Sequence, residues 1–211
     1  MNIEDLRTDF TKGELKDSSV DSDPILQFKK WFEFALESGI SEPNAMTLAT
    51  STPEGKPSAR IVLLKGFDES GFTFFTNYEG RKGRELAGNP FAALVIYWKE
   101  LERQVRIEGR VKKVNQKESD KYFYARSLES RISAVISRQS KVVESRRIME
   151  DRWVAFLTDN FDKSFPRPEN WGGYILEPKN IEFWQGRPNR LHDRILFTKK
   201  KYTWKSERLE P

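Results

Sequence analysis

The densest run of chemistry-bearing side chains lies near the C-terminus, where Trp184-Gln185-Gly186 precedes Arg190-Leu191-His192-Asp193-Arg194. Read as a strand, this stretch sends Arg190, His192 and Arg194 to one face. Three potential cations on one face repel unless an anion or a polar ligand sits among them. Trp184 offers a flat surface on which a ring can stack. A lone strand histidine is more often structural than catalytic, but two arginines and a tryptophan beside it favour a ligand. Tyr122, Arg126 and Ser130 are spaced by four and four. On one continuous helix each step of four drifts by about 40°, so a phenol, a guanidinium and a hydroxyl form one patch that can clamp a phosphate. The same spacing also arises on ordinary amphipathic surfaces. Arg60-Ile61-Val62-Leu63-Leu64-Lys65 places a cation at each end of an apolar run. Arg81-Lys82 sits at a predicted helix start, where backbone N–H groups attract anions. Solvated strand ends and a solvated Arg-Lys pair are the plain alternatives. Gln139-Ser140 and Gln104 carry no signal alone.

Composition narrows the chemistry. The chain has no Cys and one His, His192. Disulfides, thiolate nucleophiles, cysteine metal sites and multi-histidine metal sites are therefore excluded, and no metal is expected. The net charge of +5 on 211 residues fits an anionic partner, such as a phosphorylated small molecule, nucleic acid or a membrane surface, but equally a slightly basic surface. No stretch approaches the ~20 apolar residues of a membrane span. Residues 1–10 include Glu4, Asp5 and Asp9 and lack an apolar segment, unlike a signal peptide. A soluble, cytoplasmic protein with no membrane association is expected.

The elements that must position these groups are legible in outline. Residues 1–22 are polar and mixed in charge, read as a flexible N-terminal arm; residues 23–211 are read as a single domain. Asp23-Pro24 opens a helix whose apolar face is Ile25, Phe28, Phe32 and Ala35, closed by Gly39. Strands are expected at Met46–Thr50, Arg60–Lys65, Phe72–Thr76, Phe91–Trp98 and Arg103–Val114, with a short helix over Glu79–Leu86. The unbroken apolar run in Arg60–Lys65 suits a strand covered on both faces. Asn115 to Glu118 resembles a capping box, opening a helical region that runs in pieces to Leu157. Further strands are expected at Gly173–Leu176, Ile181–Gln185, Leu191–Thr198 and Tyr202–Trp204. This order is α+β with a mainly antiparallel sheet or barrel. Neither a G-x-G-x-x-G nor a Walker A motif is present, so nucleotide binding by those two routes is excluded.

Taken in order, these segments closely resemble the pyridoxine/pyridoxamine 5′-phosphate oxidase family, from about Leu6 to Arg208-Leu209-Glu210-Pro211. The most specific pieces are Arg60 to Lys65, Leu101-Glu102-Arg103-Gln104-Val105, Gln139-Ser140, Trp171-Gly172-Gly173 and Ile181 through Arg194. The resemblance implies a split-barrel FMN-binding fold, Greek-key-like and surrounded by helices. It implies a homodimer with two FMN molecules at the subunit interface, each touched by both chains, and C-terminal strands serving dimerisation and substrate. Carried over by motif, Arg60, Arg81, Lys82 and Ser140 hold the FMN phosphate and neighbouring polar groups. Ile61, Val62, Leu63, Leu64 and Lys65 line the flavin, and Phe75, Thr76, Gln104, Gln139, Trp184 and Arg194 add contacts. Lys65, Tyr122, Arg126 and Ser130 grip the substrate phosphate, while Arg190 and His192 lie over the substrate ring as the catalytic pair. Phe75 stands where the family has Tyr. Arg7 and Phe10 fall where family members carry an Arg and often a Tyr that close over the site. The implied activity is oxidation of pyridoxine 5′-phosphate and pyridoxamine 5′-phosphate to pyridoxal 5′-phosphate, with hydride passing from substrate C4′ to flavin N5 and O₂ reoxidising the flavin to give H₂O₂. Its rivals are another split-barrel flavoprotein with a different substrate, and a nucleic-acid-binding module, for which no recognised motif is present.

Overall fold

The computed structural model describes Asn2, residues 9–160 and residues 164–211; Arg7 lies outside the described residues. In chain order the main elements are α1 (Pro24–Glu37), β1 (Ala45–Ser51), β2 (Pro57–Leu63), β3 (Gly66–Asp68), β4 (Gly71–Asn77), α2 (Arg81–Gly88), β5 (Phe91–Trp98), β6 (Arg103–Lys113), α3 (Gln116–Ala125), α4 (Leu128–Ile136), α5 (Arg146–Asp159), β7 (Trp171–Gln185), β8 (Asp193–Lys199) and β9 (Trp204–Arg208). The strands form one sheet in the order β2-β1-β5-β6-β7-β4-β3, with β8 and β9 added beyond β7. Every pairing is antiparallel. The expected α+β class with an antiparallel sheet is what the chain adopts.

β7 is the spine. One of its edges pairs with β6 along its length, while the other pairs first with β4 and then with β8. The sequence suggested two strands here, Gly173–Leu176 and Ile181–Gln185. They are one, because the Pro178-Lys179 interruption is absorbed by a register shift between Glu108 and Gly109 on β6. Gly109 is required there: a Cβ on it would lie 2.0 Å from the Glu177 carbonyl oxygen.

Four other expectations need correction. β2 pairs only with β1 and ends at Leu63, so it is an edge strand and is not covered on both faces; Ile61 is 65% exposed. β8 begins at Asp193 rather than Leu191, and the terminal strand is Trp204–Arg208 rather than Tyr202–Trp204. Tyr122, Arg126 and Ser130 do not share one helix. Arg126 turns extended at the end of α3, and the Ser127 hydroxyl accepts from the Ser130 N–H to start α4. A serine that can satisfy an open N–H at a helix start favours restarting the helix over continuing it.

The core sits between α1 and the sheet. Asp23 caps α1 by accepting from the Ile25 N–H at 2.8 Å, with Pro24 at the first helical position, as the sequence suggested. This aims Phe28, Trp31 and Ala35 at the strands. Phe28 is fully buried, with its ring edge-on to Phe72 at 5.0 Å, and Trp31 meets Phe183 at 5.2 Å. A smaller cluster of Phe123, Ile132, Phe165 and Trp171 binds α3 and α4 to the start of β7. Residues 9–23 carry a single 3₁₀ turn, Asp17–Ser19, yet Leu15 is buried and its N–H donates to Asp193.

Candidate active site

A cleft of about 480 Å³ opens where the end of β2, β4, α2 and the α3–α4 break converge. It is lined by Ile61, Val62, Leu63, Lys65, Phe75, Thr76, Lys82, Tyr122, Arg126, Ser130 and Gln139, all expected at the site from the sequence, by Trp171, which carried the resemblance without a site role, and by Ser127, which the sequence did not single out. The break between α3 and α4 turns the clamp residues inward by another route than the helix spacing suggested. Phe75 and Tyr122 stack with ring centres 3.9 Å apart, and Trp171 continues the stack. The Arg126 guanidinium lies 4.8 Å over the Trp171 ring and the Lys65 ammonium 5.9 Å over Tyr122. Two clefts of about 670 and 780 Å³ lie on the α5 side of residues 137–141, with Arg138, Lys141 and Arg152 among their linings; sequence reading did not anticipate them.

The charges in the 480 Å³ cleft are set up for anions. Lys82 is half-buried, and its ammonium donates to neutral oxygens only, Gln139 Oε1 at 2.8 Å and Thr76 Oγ1 at 3.2 Å. Burial, then the charge of Arg60, pushes the Lys82 pKa down. Burial likewise lowers the Arg126 pKa, and its Nη1 is buried without a hydrogen-bond partner among the described residues. Such groups are stabilised by an anionic acceptor. A flavin phosphate near Lys82 and a substrate phosphate near Arg126 fit this donor set.

Arg60, Arg81 and Ser140 do not line this cleft; they are chain neighbours of Ile61, Lys82 and Gln139, which do, and Ser140 lines the 780 Å³ cleft instead. Arg60 reaches from β2 to Glu85 on α2 at 3.3 Å and donates also to Ser58 and Thr50. Arg81 Nε donates to Glu85 at 2.8 Å. Glu85 is buried, which pushes its carboxyl up, but hydrogen bonds from Ser58, Thr50 and Arg81 and the charge of Arg60 outweigh this and hold it at about 2. The Arg81 N–H donates to Ser140 Oγ at 3.1 Å, tying the start of α2 to the Gln139-Ser140 loop. Glu85 was missed because, four residues after Arg81, it reads as half of an ordinary surface pair. Leu64 points into the core rather than into the cleft.

The remaining predicted residues form a second cluster elsewhere. Gln104, Trp184 and Arg194 lie side by side across β6, β7 and β8. Arg194 pairs with buried Glu182 at 2.9 Å, and that hydrogen bond raises its pKa. Arg190 sits in a 3₁₀ turn (Pro188–Arg190) with φ +61°, and His192 lies outside the strand. The shared strand face expected for Arg190, His192 and Arg194 therefore does not exist; the turn brings His192 to Trp184, ring centres 4.8 Å apart. Phe10 packs edge-on against both rings, at 5.6 and 5.5 Å. Gly173 beside Phe75 and Trp184 in this cluster are eleven positions apart on β7. At about 3.3 Å per residue that is roughly 36 Å along the strand. One chain does not bring its two clusters together.

Residues 32–157 match the family model described as pyridoxamine 5′-phosphate oxidase, and residues 171–211 match the pyridoxine 5′-phosphate oxidase C-terminal dimerisation region. A pyridoxine/pyridoxamine 5′-phosphate oxidase from Nostoc sp. is 56% identical over 210 residues, covering 99% of this chain and 98% of the relative. One from Burkholderia mallei is 55% identical over 212 residues, covering 99% of each chain. Among solved structures, PhzG from Burkholderia lata, in complex with tetrahydrophenazine-1-carboxylic acid, superposes with a TM-score of 0.87 at 32% identity, covering 93% of this chain and 98% of that one. A pyridoxamine 5′-phosphate oxidase-related, FMN-binding protein from Nostoc punctiforme superposes with a TM-score of 0.69 at 18% identity, covering 87% and 97%, and shares the fold. The curled antiparallel sheet is thus the split barrel that the sequence led us to expect, residues 171–211 form a dimerisation region, and the chain belongs to the pyridoxine/pyridoxamine 5′-phosphate oxidase family.

Proposed function

We propose that two copies of this chain build two identical sites for FMN and oxidise pyridoxine 5′-phosphate and pyridoxamine 5′-phosphate to pyridoxal 5′-phosphate. The observation that carries this reading is the separation of the two clusters along β7. A two-fold pairing lets the cleft of one chain meet the Trp184–Arg194 cluster of the other. Exposed Ile61 on the edge strand and exposed Tyr97 on β5 supply apolar surface for such a contact. In this assembly Arg60, Arg81, Lys82 and Ser140 hold the FMN phosphate end. Ile61, Val62 and Leu63 follow the flavin, Leu64 through its backbone alone, with Phe75, Thr76 and Gln139 beside it and Gln104, Trp184 and Arg194 contributed from the second copy. Lys65, Tyr122, Arg126 and Ser130 grip the substrate phosphate, and Arg190 and His192 cover its ring.

The flavin, when bound, supplies the redox chemistry, accepting a hydride from substrate C4′ at N5 and passing two electrons to O₂ to give H₂O₂. The protein's part is placement: two phosphates in separate cation sets fix the two rings against each other at near-attack distance. Arg190 stabilises negative charge developing at the reacting group. The aromatic shelf of Phe75, Tyr122 and Trp171 excludes water beneath the clamp.

The test is direct. The purified protein should be yellow with bound FMN, and with pyridoxine 5′-phosphate it should consume oxygen and release pyridoxal 5′-phosphate. Unphosphorylated pyridoxine should be a far poorer substrate, since the clamp then has no anion to hold. FMN-loaded protein that turns over neither phosphate ester would refute the assignment.

A further inference from the structure

We propose that His192 acts as a neutral hydrogen-bond donor through Nε2, fixed in that form by the Arg187 backbone, and neither takes nor gives a proton in the reaction. The inference rests on the placement of His192 over the substrate and goes beyond it by assigning the imidazole's role. The Arg187 N–H donates to His192 Nδ1 at 3.1 Å. A nitrogen that accepts a hydrogen bond carries no proton, so the neutral ring bears its hydrogen on Nε2. Protonating the ring would set Nδ1–H against the Arg187 N–H and destroy that bond.

The turn enforces this contact. Gly186 permits close approach, since a Cβ there would lie 2.7 Å from Phe10, and Asn189 and Arg190 both adopt left-handed conformations. The chain thereby folds back five residues, from His192 to Arg187.

The groups facing the ring also disfavour imidazolium. Phe10 and Trp184 flank the partly buried ring, and Arg190 adds positive charge; burial, then Arg190, moves its pKa down. The nearby carboxylate of Asp193 is engaged by Arg208 at 2.9 Å, by the Leu15 N–H at 3.0 Å and by Arg187 at 3.6 Å. The Arg187 guanidinium turns away to Gly13 O and Glu14. Among the described residues nothing pairs with Nε2, which leaves that N–H for an oxygen on the bound substrate.

Because the chain has one histidine, the ring can be read without ambiguity. In FMN-loaded protein labelled with ¹⁵N-histidine, two-bond ¹H–¹⁵N correlations should show the Nε2–H tautomer at pH 7 and 8, and the titration midpoint should fall below 6.5. An Nδ1–H tautomer, a tautomeric average or an imidazolium at pH 7 would overturn the proposal. This readout does not depend on turnover, so failure of the oxidase assay and failure of the tautomer assignment are separate results. Kinetics give a second test. His192→Gln can place an amide N–H near Nε2, whereas the shorter Asn reaches only the Nδ1 position, so kcat/KM should be about tenfold higher for His192→Gln than for His192→Asn at equal FMN content. Equal values, or a reversal, would remove the donor role.

Discussion

Glu85 shows how one side chain fixes two cations in place. Four side chains, Thr50, Ser58, Arg60 and Arg81, donate to its carboxylate. It holds Arg60 and Arg81 in place, and in the proposed site those two cations serve the FMN phosphate. Replacing Glu85 by Gln keeps the shape but turns a charge-assisted acceptor into a neutral group with unwanted donors, so FMN should bind about tenfold more weakly, measured by flavin fluorescence quenching. Because its pKa is held at about 2, below the ordinary 4.5, Glu85 contributes stability that is complete above pH 4.5 and lost as pH falls toward 2. The acid limb of an unfolding titration should therefore move to higher stability relative to neutral pH in Glu85→Gln. At Arg126, truncation to Ala removes a cation of the proposed clamp whose Nη1 is buried and unpaired among the described residues. The expected result is a KM for pyridoxine 5′-phosphate raised by ten- to a hundredfold with FMN retained, since charged hydrogen bonds are worth about 1.5–3 kcal/mol. An unchanged KM would take Arg126 out of the clamp.

At the scale of elements, α1 and the α2 start do separate jobs. α1 is structural: Phe28 is fully buried among Phe32, Phe67, Phe72 and Trp98. Phe28→Ala should destabilise the fold by about 3–5 kcal/mol in urea unfolding, the range for emptying a core aromatic site. The α2 start is positional. A Cβ on Gly80 would lie 2.4 Å from Gln139 Oε1, the atom that accepts from Lys82. The end of a Gln side chain moves easily, so Gly80→Ala should leave the melting temperature little changed while displacing Gln139 and weakening FMN binding. If FMN affinity stays the same, the Lys82–Gln139 contact has no part in the flavin site.

At the scale of the molecule, the proposed sites draw on two chains. If the cleft and the Trp184–Arg194 cluster come from different subunits, Arg126→Ala and Arg190→Ala damage opposite halves of each site. Mixing the two impaired variants under conditions that exchange subunits gives half heterodimers, each with one intact site of two, so activity assayed at substrate well below the raised KM should return to about one quarter of wild type. No recovery after demonstrated exchange would mean that each site is built from a single chain.

Much of this protein is determined by its sequence alone. Side-chain identities and order along the chain mark the cations, the aromatic partners and the antiparallel strands, because local patterning and chemical type do not depend on distant contacts. The capped start of α1 belongs to the same class. Where each side chain goes was decided by tertiary structure. Ser127 breaks the helix that spacing drew through Tyr122 and Ser130, and the Pro188–Arg190 turn dissolves the strand face drawn through Arg190 and His192. The bulge opposite Gly109 joins two apparent strands into the one that carries the clusters apart. Each of these outcomes turns on which hydrogen-bond partner a backbone group finds, and that partner is distant in the chain or supplied by a competing side chain, so periodicity could not reveal it.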